Sequence, residues 1–214
     1  MAYGLVIFDF DGTLADSAAW LFDALPDVAN RYGFRSVDAR ELAELRGKNT
    51  RVVLGQLGVS WWKLPFIARH LRARMAAERD RIRTFSGVHD LLAELERRGV
   101  VIAVVSSNAE DNVRSVLGSE SAARVRYYEC GVGLFGKRAR FQRLLRQSGI
   151  APEAAIAIGD EPREIEAAAS IGIASGAVGW GYATPELLRA HRPTVYFDSI
   201  EAMTDHLLGS VPTV

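Results

Sequence analysis

The chain has 214 residues, of which 49% are hydrophobic and 24% charged, and this composition is typical of a globular protein with one large domain or one domain and a smaller insertion. Its 26 basic and 26 acidic residues give a net charge of zero, and its single cysteine, Cys130, excludes an internal disulfide framework. Without a basic leader or a long apolar run, the sequence favours a cytoplasmic monomer that binds neither nucleic acid nor a membrane.

Strand and helix patterns alternate along most of the chain. The apolar run 5–8 predicts a first buried strand, and the runs 100–105, 154–160 and 173–178 predict further strands. The spacing of apolar residues predicts helices between Ser86 as N-cap and Gly99, over 109–118, 137–147 and 162–171, and from Thr184 as N-cap onward. This alternation is typical of βαβ units and predicts an α/β fold with a parallel sheet.

Residues 18–84 do not follow this alternation, and they are several times longer than one crossover helix needs. Apolar residues recur there with helical spacing, while runs of β-branched residues are scarce. The residues with this spacing are Leu21, Leu25 and Val28, and further on Leu71, Met75 and Ile82. We therefore predict an α/β core formed by residues 1–17 and 85–214, with a small helical subdomain at 18–84 inserted into it.

Four short polar features follow the predicted strands or open the helices after them. They are Asp9-Phe10-Asp11-Gly12-Thr13, the run Ser106-Ser107-Asn108, the pair Gly136-Lys137, and Asp160 with Glu164 in "IGDEPRE". In an open parallel sheet the carboxyl ends of the strands form the ligand crevice, so residues far apart in sequence converge there. We expect these features to build one site.

The expected site has a coherent chemistry. Asp9, Asp11 and Asp160 supply hard oxygen ligands, too few to enclose Ca²⁺ but suited to Mg²⁺, which shares its coordination shell with water and phosphate. Lys137 supplies a fixed positive charge, and Ser106 with its neighbours supplies a hydroxyl and backbone N–H donors. Phosphoryl transfer needs little beyond such positioning and charge stabilisation.

In their order and spacing, these motifs resemble those of the haloacid dehalogenase-like superfamily. "DFDGTLADS" at 9–17 is especially similar to the phosphoglycolate phosphatase-like members, and a helical insertion directly after it resembles their C1 cap. The resemblance covers essentially the whole chain. It implies a Rossmann-like parallel sheet core with an inserted α-helical cap, and a phosphatase that hydrolyses a small phosphorylated metabolite.

The resemblance also implies a role for each matching residue. Asp9 would attack phosphorus to form an aspartyl-phosphate, and Asp11 would first donate and then accept a proton. Lys137 would neutralise Asp9 and the phosphate. The remaining implied roles are substrate binding by Thr13, Ser106, Ser107 and Asn108, and Mg²⁺ binding by Asp9, Asp11, Asp160 and Glu164. For Glu164, an equally good reading is an acid that stabilises a helix N-terminus.

Two alternatives to hydrolysis remain open: a phosphomutase with the same core, and a scaffold that only binds a metabolite or a partner. The acid at position 11 implies a phosphatase or a phosphomutase rather than a dehalogenase or an ion pump.

The insertion offers a basic turn, "LRGKNTR" at 45–51, in which Arg46 and Lys48 are candidates to contact the leaving group. A solvated basic turn is as good a reading. We expect Trp61 and Trp62 to pack within the insertion or against the core, with a partner surface as the alternative. We expect the arginines between 69 and 83 to form a solvated helix face, and nucleic-acid binding is the weaker alternative because no aromatic residues are interleaved with them.

Overall fold

The computed structural model describes residues 3–131, 133 and 136–209. Its strands are β1 (Leu5–Phe8), β2 (Ala15–Asp16), β3 (Arg83–Thr84), β4 (Val101–Val105), β5 (Tyr127–Glu129), β6 (Ala155–Gly159), β7 (Ala174–Val178) and β8 (Val195–Phe197). Six of them form a parallel sheet in the order β5-β4-β1-β6-β7-β8. The predicted α/β class with a parallel sheet is confirmed.

The helices are α1 (Ala18–Tyr32), α2 (Ala39–Leu45), α3 (Thr50–Gln56), α4 (Leu64–Ala77), α5 (Val88–Arg97), α6 (Glu110–Arg124), α7 (Lys137–Ser148), α8 (Pro162–Ala169), α9 (Pro185–Ala190) and α10 (Ile200–Leu208). No helix in the described part of the chain is both long and apolar enough to cross a membrane.

The sheet is buried on both faces because side chains alternate along each strand. Val6 and Phe8 of β1 belong to an apolar cluster with residues of α5, α6 and α10, such as Leu91. Leu5 and Ile7 belong to a second cluster, with Phe141 of α7 and residues of α8. The sheet thus lies between two layers of helices, which explains why the sequences of strands β1, β4 and β6 are unbroken apolar runs.

Helices α1 to α4 lie between β2 and β3, which pair antiparallel and bring the two ends of this segment together. We call residues 18–82 the helical insertion. It has an apolar cluster of its own that includes Val28, Leu45 and Ile67. The helices thus occur where the sequence predicts them, and the division of the chain at residues 17 and 84 stays a prediction.

Several element boundaries differ from the sequence predictions. The N-cap of α5 is Gly87, whose φ of 86° is easy for glycine, and not Ser86. Helix α6 continues past the predicted end at 118, with a kink at Gly118. Helix α4 ends at Ala77, so Ile82 lies beyond it and not on its apolar stripe.

Candidate active site

The acidic residues follow the ends of adjacent central strands. Asp9 comes directly after β1, Asp160 after β6 and Ser106 after β4, and β1 lies between the other two. Phe8 is in register with both Val104 and Ile158, so the chain leaves the sheet at the same level in all three strands. The structure therefore brings these predicted site residues together at the carboxyl ends of the central strands, which we call the sheet edge.

Lys137, the first residue of α7, is buried between two carboxylates. Its Nζ lies 2.7 Å from Oδ2 of Asp9 and 2.7 Å from Oε1 of Glu164. Burial by itself lowers the pKa of the Lys137 ammonium, but the two carboxylates outweigh it and raise that pKa above its usual value. Lys137 is therefore a fixed cation beside Asp9.

Asp160 is fully buried and accepts two hydrogen bonds. Thr13 Oγ1 donates to its Oδ1 (3.3 Å), and the backbone N–H of Tyr182 donates to its Oδ2 (2.7 Å). Burial, and then the carboxylates of Glu161 and Asp9, holds the pKa of Asp160 well above its usual range. A Cβ on Gly12, whose φ is +75°, would lie 2.3 Å from Oδ2 of Asp160, so only glycine fits there.

Glu164 has partners for both of its carboxylate oxygens. Oε2 accepts from the backbone N–H of Glu161 (2.9 Å) as part of the capping box of α8. Oε1 contacts Lys137 and, at 3.1 Å, Nε of Arg163. The site thus uses Glu164 to begin α8 and to hold Lys137, which fits the helix-terminus reading.

Buried oxygens of Asp9, Asp160 and Glu164 all lie within 4.8 Å of one another. Carboxylates this close repel one another, and burial makes each of them costly to ionise. Oε1 of Glu164 is already paired with two cations, Lys137 and Arg163. Asp160 accepts only from uncharged donors and Asp9 contacts one cation, so these two are the members of the cluster best suited to a hard cation.

Asp11 lies opposite Asn108, whose Nδ2 donates to Asp11 Oδ2 (3.1 Å). Its Oδ1 is buried and has no hydrogen-bond partner in the described part of the chain. Burial, and next the nearby carboxylate of Asp9, raises the pKa of Asp11 to about 6. Asp11 can therefore hold a proton at a much higher pH than an exposed aspartate does.

The predicted phosphate-binding residues divide into two groups. Ser107 and Asn108 line the cleft beside Asp9 and Asp11. Ser106 and Thr13 are buried, and their hydroxyls serve other residues: Ser106 Oγ accepts from the N–H of Asn108 (3.0 Å), and Thr13 binds Asp160.

The basic turn of the insertion reaches the core through Arg46. Its Nε donates to the carbonyl of Tyr182 (2.8 Å) and its Nη2 to that of Gly181 (3.0 Å). Lys48 instead binds Oε1 of Gln56 within the insertion (2.9 Å). Both residues line the cleft.

Sequence reasoning missed three residues that hold the site together or join the insertion to the core, namely Tyr182, Thr50 and Glu161. Tyr182 binds Asp160 through its backbone and Ser17 through its hydroxyl (2.8 Å), and Thr50 of the insertion donates to Glu161. The only signal for Glu161 is its position next to Asp160. Tyr182 lies in the loop after β7, which carries no motif of its own.

A cavity of about 770 Å³ extends from Asp9 and Asp11 into the helical insertion. Trp61 lines it but is 52% exposed, and Trp62 is 68% exposed. The prediction that both tryptophans pack inside is wrong. They lie in a short 3-10 helix between α3 and α4, where their rings contact Arg51 and Lys63 at the surface.

Residues 6–178 match the family model described as haloacid dehalogenase-like hydrolase. The chain is 30% identical to phosphoglycolate phosphatase from Synechococcus elongatus, over 88% of this chain and 89% of the relative. It is 29% identical to tyrosine-protein kinase PtkA from Mycobacterium tuberculosis, over 89% of this chain and 67% of the relative. A crystal structure described as a predicted phosphatase from Clostridium acetobutylicum shares the fold, with a TM-score of 0.81 and 20% identity over 98% of this chain and all of that one.

Proposed function

The chain belongs to the haloacid dehalogenase-like hydrolase family and is a phosphatase of that family, and we propose that it hydrolyses a small phosphorylated metabolite with Asp9 as nucleophile and Mg²⁺ as cofactor. The observation that carries this proposal is the placement of Asp9, which contacts Lys137 at 2.7 Å, has an oxygen within 4.8 Å of one of Asp160, and lines the same cleft as Asp11.

In the first half of the reaction, a carboxylate oxygen of Asp9 attacks phosphorus and the bond from phosphorus to the leaving oxygen breaks. Asp11 donates its proton to that oxygen, so the product leaves as an alcohol and Asp9 carries the phosphoryl group. The raised pKa of Asp11, about 6, supplies the protonated form that this step needs.

In the second half, Asp11 accepts a proton from water as the water attacks the aspartyl-phosphate, which releases inorganic phosphate and restores Asp9. Lys137 stabilises the negative charge that develops on the phosphoryl oxygens in both halves. Ser107, on the wall of the cleft, would supply a backbone N–H to the same oxygens, whereas the N–H of Asn108 is donated to Ser106 Oγ.

The residues present fit a divalent cation. Asp160 is fully buried among other carboxylates, and a cation there would offset the burial and the repulsion that together raise its pKa. Asp9 and Asp160, with the backbone carbonyl of Asp11, would hold the ion, and Glu164 would act on it only indirectly. When bound, Mg²⁺ supplies positive charge that orients the phosphoryl group and stabilises its transferring oxygens.

Replacing Asp9 by Asn tests the proposal because it removes the nucleophile and keeps the shape of the side chain. We expect D9N to lose hydrolysis of a generic aryl phosphate, measured as release of inorganic phosphate with Mg²⁺, while circular dichroism and the unfolding midpoint show a folded protein. Asp16, exposed on β2, provides the matched control: D16N should keep the wild-type rate.

The two alternatives give different results in the same assay. A phosphomutase would interconvert isomers with little release of inorganic phosphate, and a binding scaffold would show no difference between wild type and D9N. Turnover retained by D9N would contradict the proposed role of Asp9.

A further inference from the structure

The volume of the cavity indicates how large a substrate it can hold. At about 770 Å³ it lies within the range of ~300–1,000 Å³ that is usual for small-molecule sites. The phosphoryl group, placed at Asp9 and Asp11, occupies only the part at the sheet edge. Most of the volume therefore remains for the organic part of the substrate, and glycolate is far too small to fill it.

The walls of the deeper part are apolar. Helix α1 contributes Leu25 and Val28, α3 contributes Leu54, and α4 contributes Ile67 and Leu71. Such walls offer no hydrogen bonds to a hydroxylated or charged organic group, which would lose its hydration without compensation. A hydrocarbon group gains free energy in proportion to the apolar area that it buries there.

The cations Arg46 and Arg72 on the cavity wall lie where the insertion meets the core, because each of them contacts core residues. The guanidinium of Arg46 is bound to two backbone carbonyls, and Lys48 is bound to Gln56. Arg72 of α4 also lines the cavity, and its Nε is buried with no hydrogen-bond partner in the described part of the chain. Its guanidinium borders Gly131, just past β5, and its backbone carbonyl accepts from Asn112 of α6.

From this arrangement, and resting on the proposed phosphatase function, we propose that the leaving group is a bulky alcohol or phenol with a large hydrocarbon part, which enters the helical insertion. The substrate is thus an alkyl or aryl phosphomonoester, and phosphoglycolate is a poor substrate. The same hydrolysis occurs at Asp9, and the insertion selects the ester by the hydrocarbon that it buries.

A chain-length series tests this directly. With ethyl, butyl and hexyl phosphate, we expect kcat/KM of the wild-type enzyme with Mg²⁺ to rise by up to about fourfold for each methylene that enters the cavity. Phenyl and naphthyl phosphate test whether a flat ring is accepted as well as a chain, and both should exceed phosphoglycolate. A kcat/KM that is flat along the series, or highest for phosphoglycolate, overturns the inference.

A filling variant locates the effect in the cavity. Ala68 of α4 lines it, whereas Ala76 on the same helix is exposed and lies outside its lining. We expect A68F to lower the ratio of kcat/KM for hexyl over ethyl phosphate by about tenfold, because the new ring takes the space of the longer chain. A76F should leave that ratio unchanged, and equal ratios in the two variants would contradict the inference.

The series also separates this inference from the function on which it rests. If D9N abolishes hydrolysis of every ester while the wild-type enzyme shows no dependence on chain length, only the inference about the leaving group fails. If hydrolysis does not depend on Asp9, the proposed function itself fails.

Discussion

The sheet edge and the helical insertion differ in the polarity of the side chains that line the cleft. At the sheet edge, the buried cation Lys137 lies 2.7 Å from a carboxylate oxygen of Asp9 and 2.7 Å from one of Glu164. In the insertion, the cavity wall is mostly hydrocarbon, and the large exposed hydrophobic side chains of the described residues also lie there: Val52, Trp61, Trp62 and Phe66. Directional contacts fix the positions of reacting atoms, whereas an apolar wall discriminates by size and buried area.

The largest effect should come from removing the cation of the sheet edge. In Lys137→Met, Asp9 and Glu164 lose their shared buried partner, which we expect to lower the free energy of unfolding by about 3–5 kcal/mol. Phosphatase activity should fall by about 100- to 1000-fold or more, because the transferring phosphoryl group loses a fixed positive charge. Urea unfolding and phosphate release measure the two effects.

Arg138 provides the control for this substitution, since it is the next residue of α7 and its side chain is exposed. R138M should change neither quantity appreciably. If K137M were as stable and as active as R138M, the contact of Lys137 with Asp9 would not be essential. The sheet edge would then not depend on directional contacts between charged groups.

Asp11 should show the next largest effect, as a dependence of stability on pH. Its pKa is raised from 3.8 to about 6, so the folded state binds this proton more tightly than the unfolded state does. The resulting stabilisation is complete below pH 4 and is lost as the pH rises through 6. Without a metal, ionised Asp11 should therefore cost the folded protein about 2–3 kcal/mol near neutral pH.

Asp11→Asn removes this ionisation, so in EDTA at pH 7.5 we expect D11N to unfold at a higher urea concentration than the wild type, with the difference vanishing near pH 4. The same variant should be a poor phosphatase because it has no proton to donate. Equal stability of the two proteins at pH 7.5 would show that burial of Asp11 carries no energetic cost.

The two regions also differ in how far the sequence predicts them. Asp9 and Asp160 could be placed because each follows an unbroken apolar run, and neighbouring parallel strands bring their ends together. For Glu164 the sequence left a metal role and a helix-terminus role open, and the capping box with Glu161 fits the second. Strand β8 has only three residues, too few for a periodic pattern.

In the insertion, helical spacing predicts the helices but not how they pack. A tryptophan is more often buried than exposed, and this tendency gave the wrong placement for Trp61 and Trp62. The cavity depends on the distance between α1, α3 and α4, which no local pattern encodes. The contact of Tyr182 with Asp160 likewise joins residues from two loops whose approach is set by β6 and β7.

The smallest effect concerns how the two regions are joined. Arg46 makes two charge-assisted hydrogen bonds to the loop that also positions Asp160 through Tyr182, whereas Lys48 binds only Gln56 within the insertion. We expect Arg46→Met to lower kcat/KM for an aryl phosphate by about tenfold, equivalent to losing one such bond, and Lys48→Met to change it by less than about twofold. A direct role of Lys48 in binding the leaving group would reverse this order, and steady-state kinetics of the two variants distinguish the possibilities. Because Arg46 acts through a backbone loop, R46M should change kcat as well as KM, and it should do so equally for long and short alkyl phosphates.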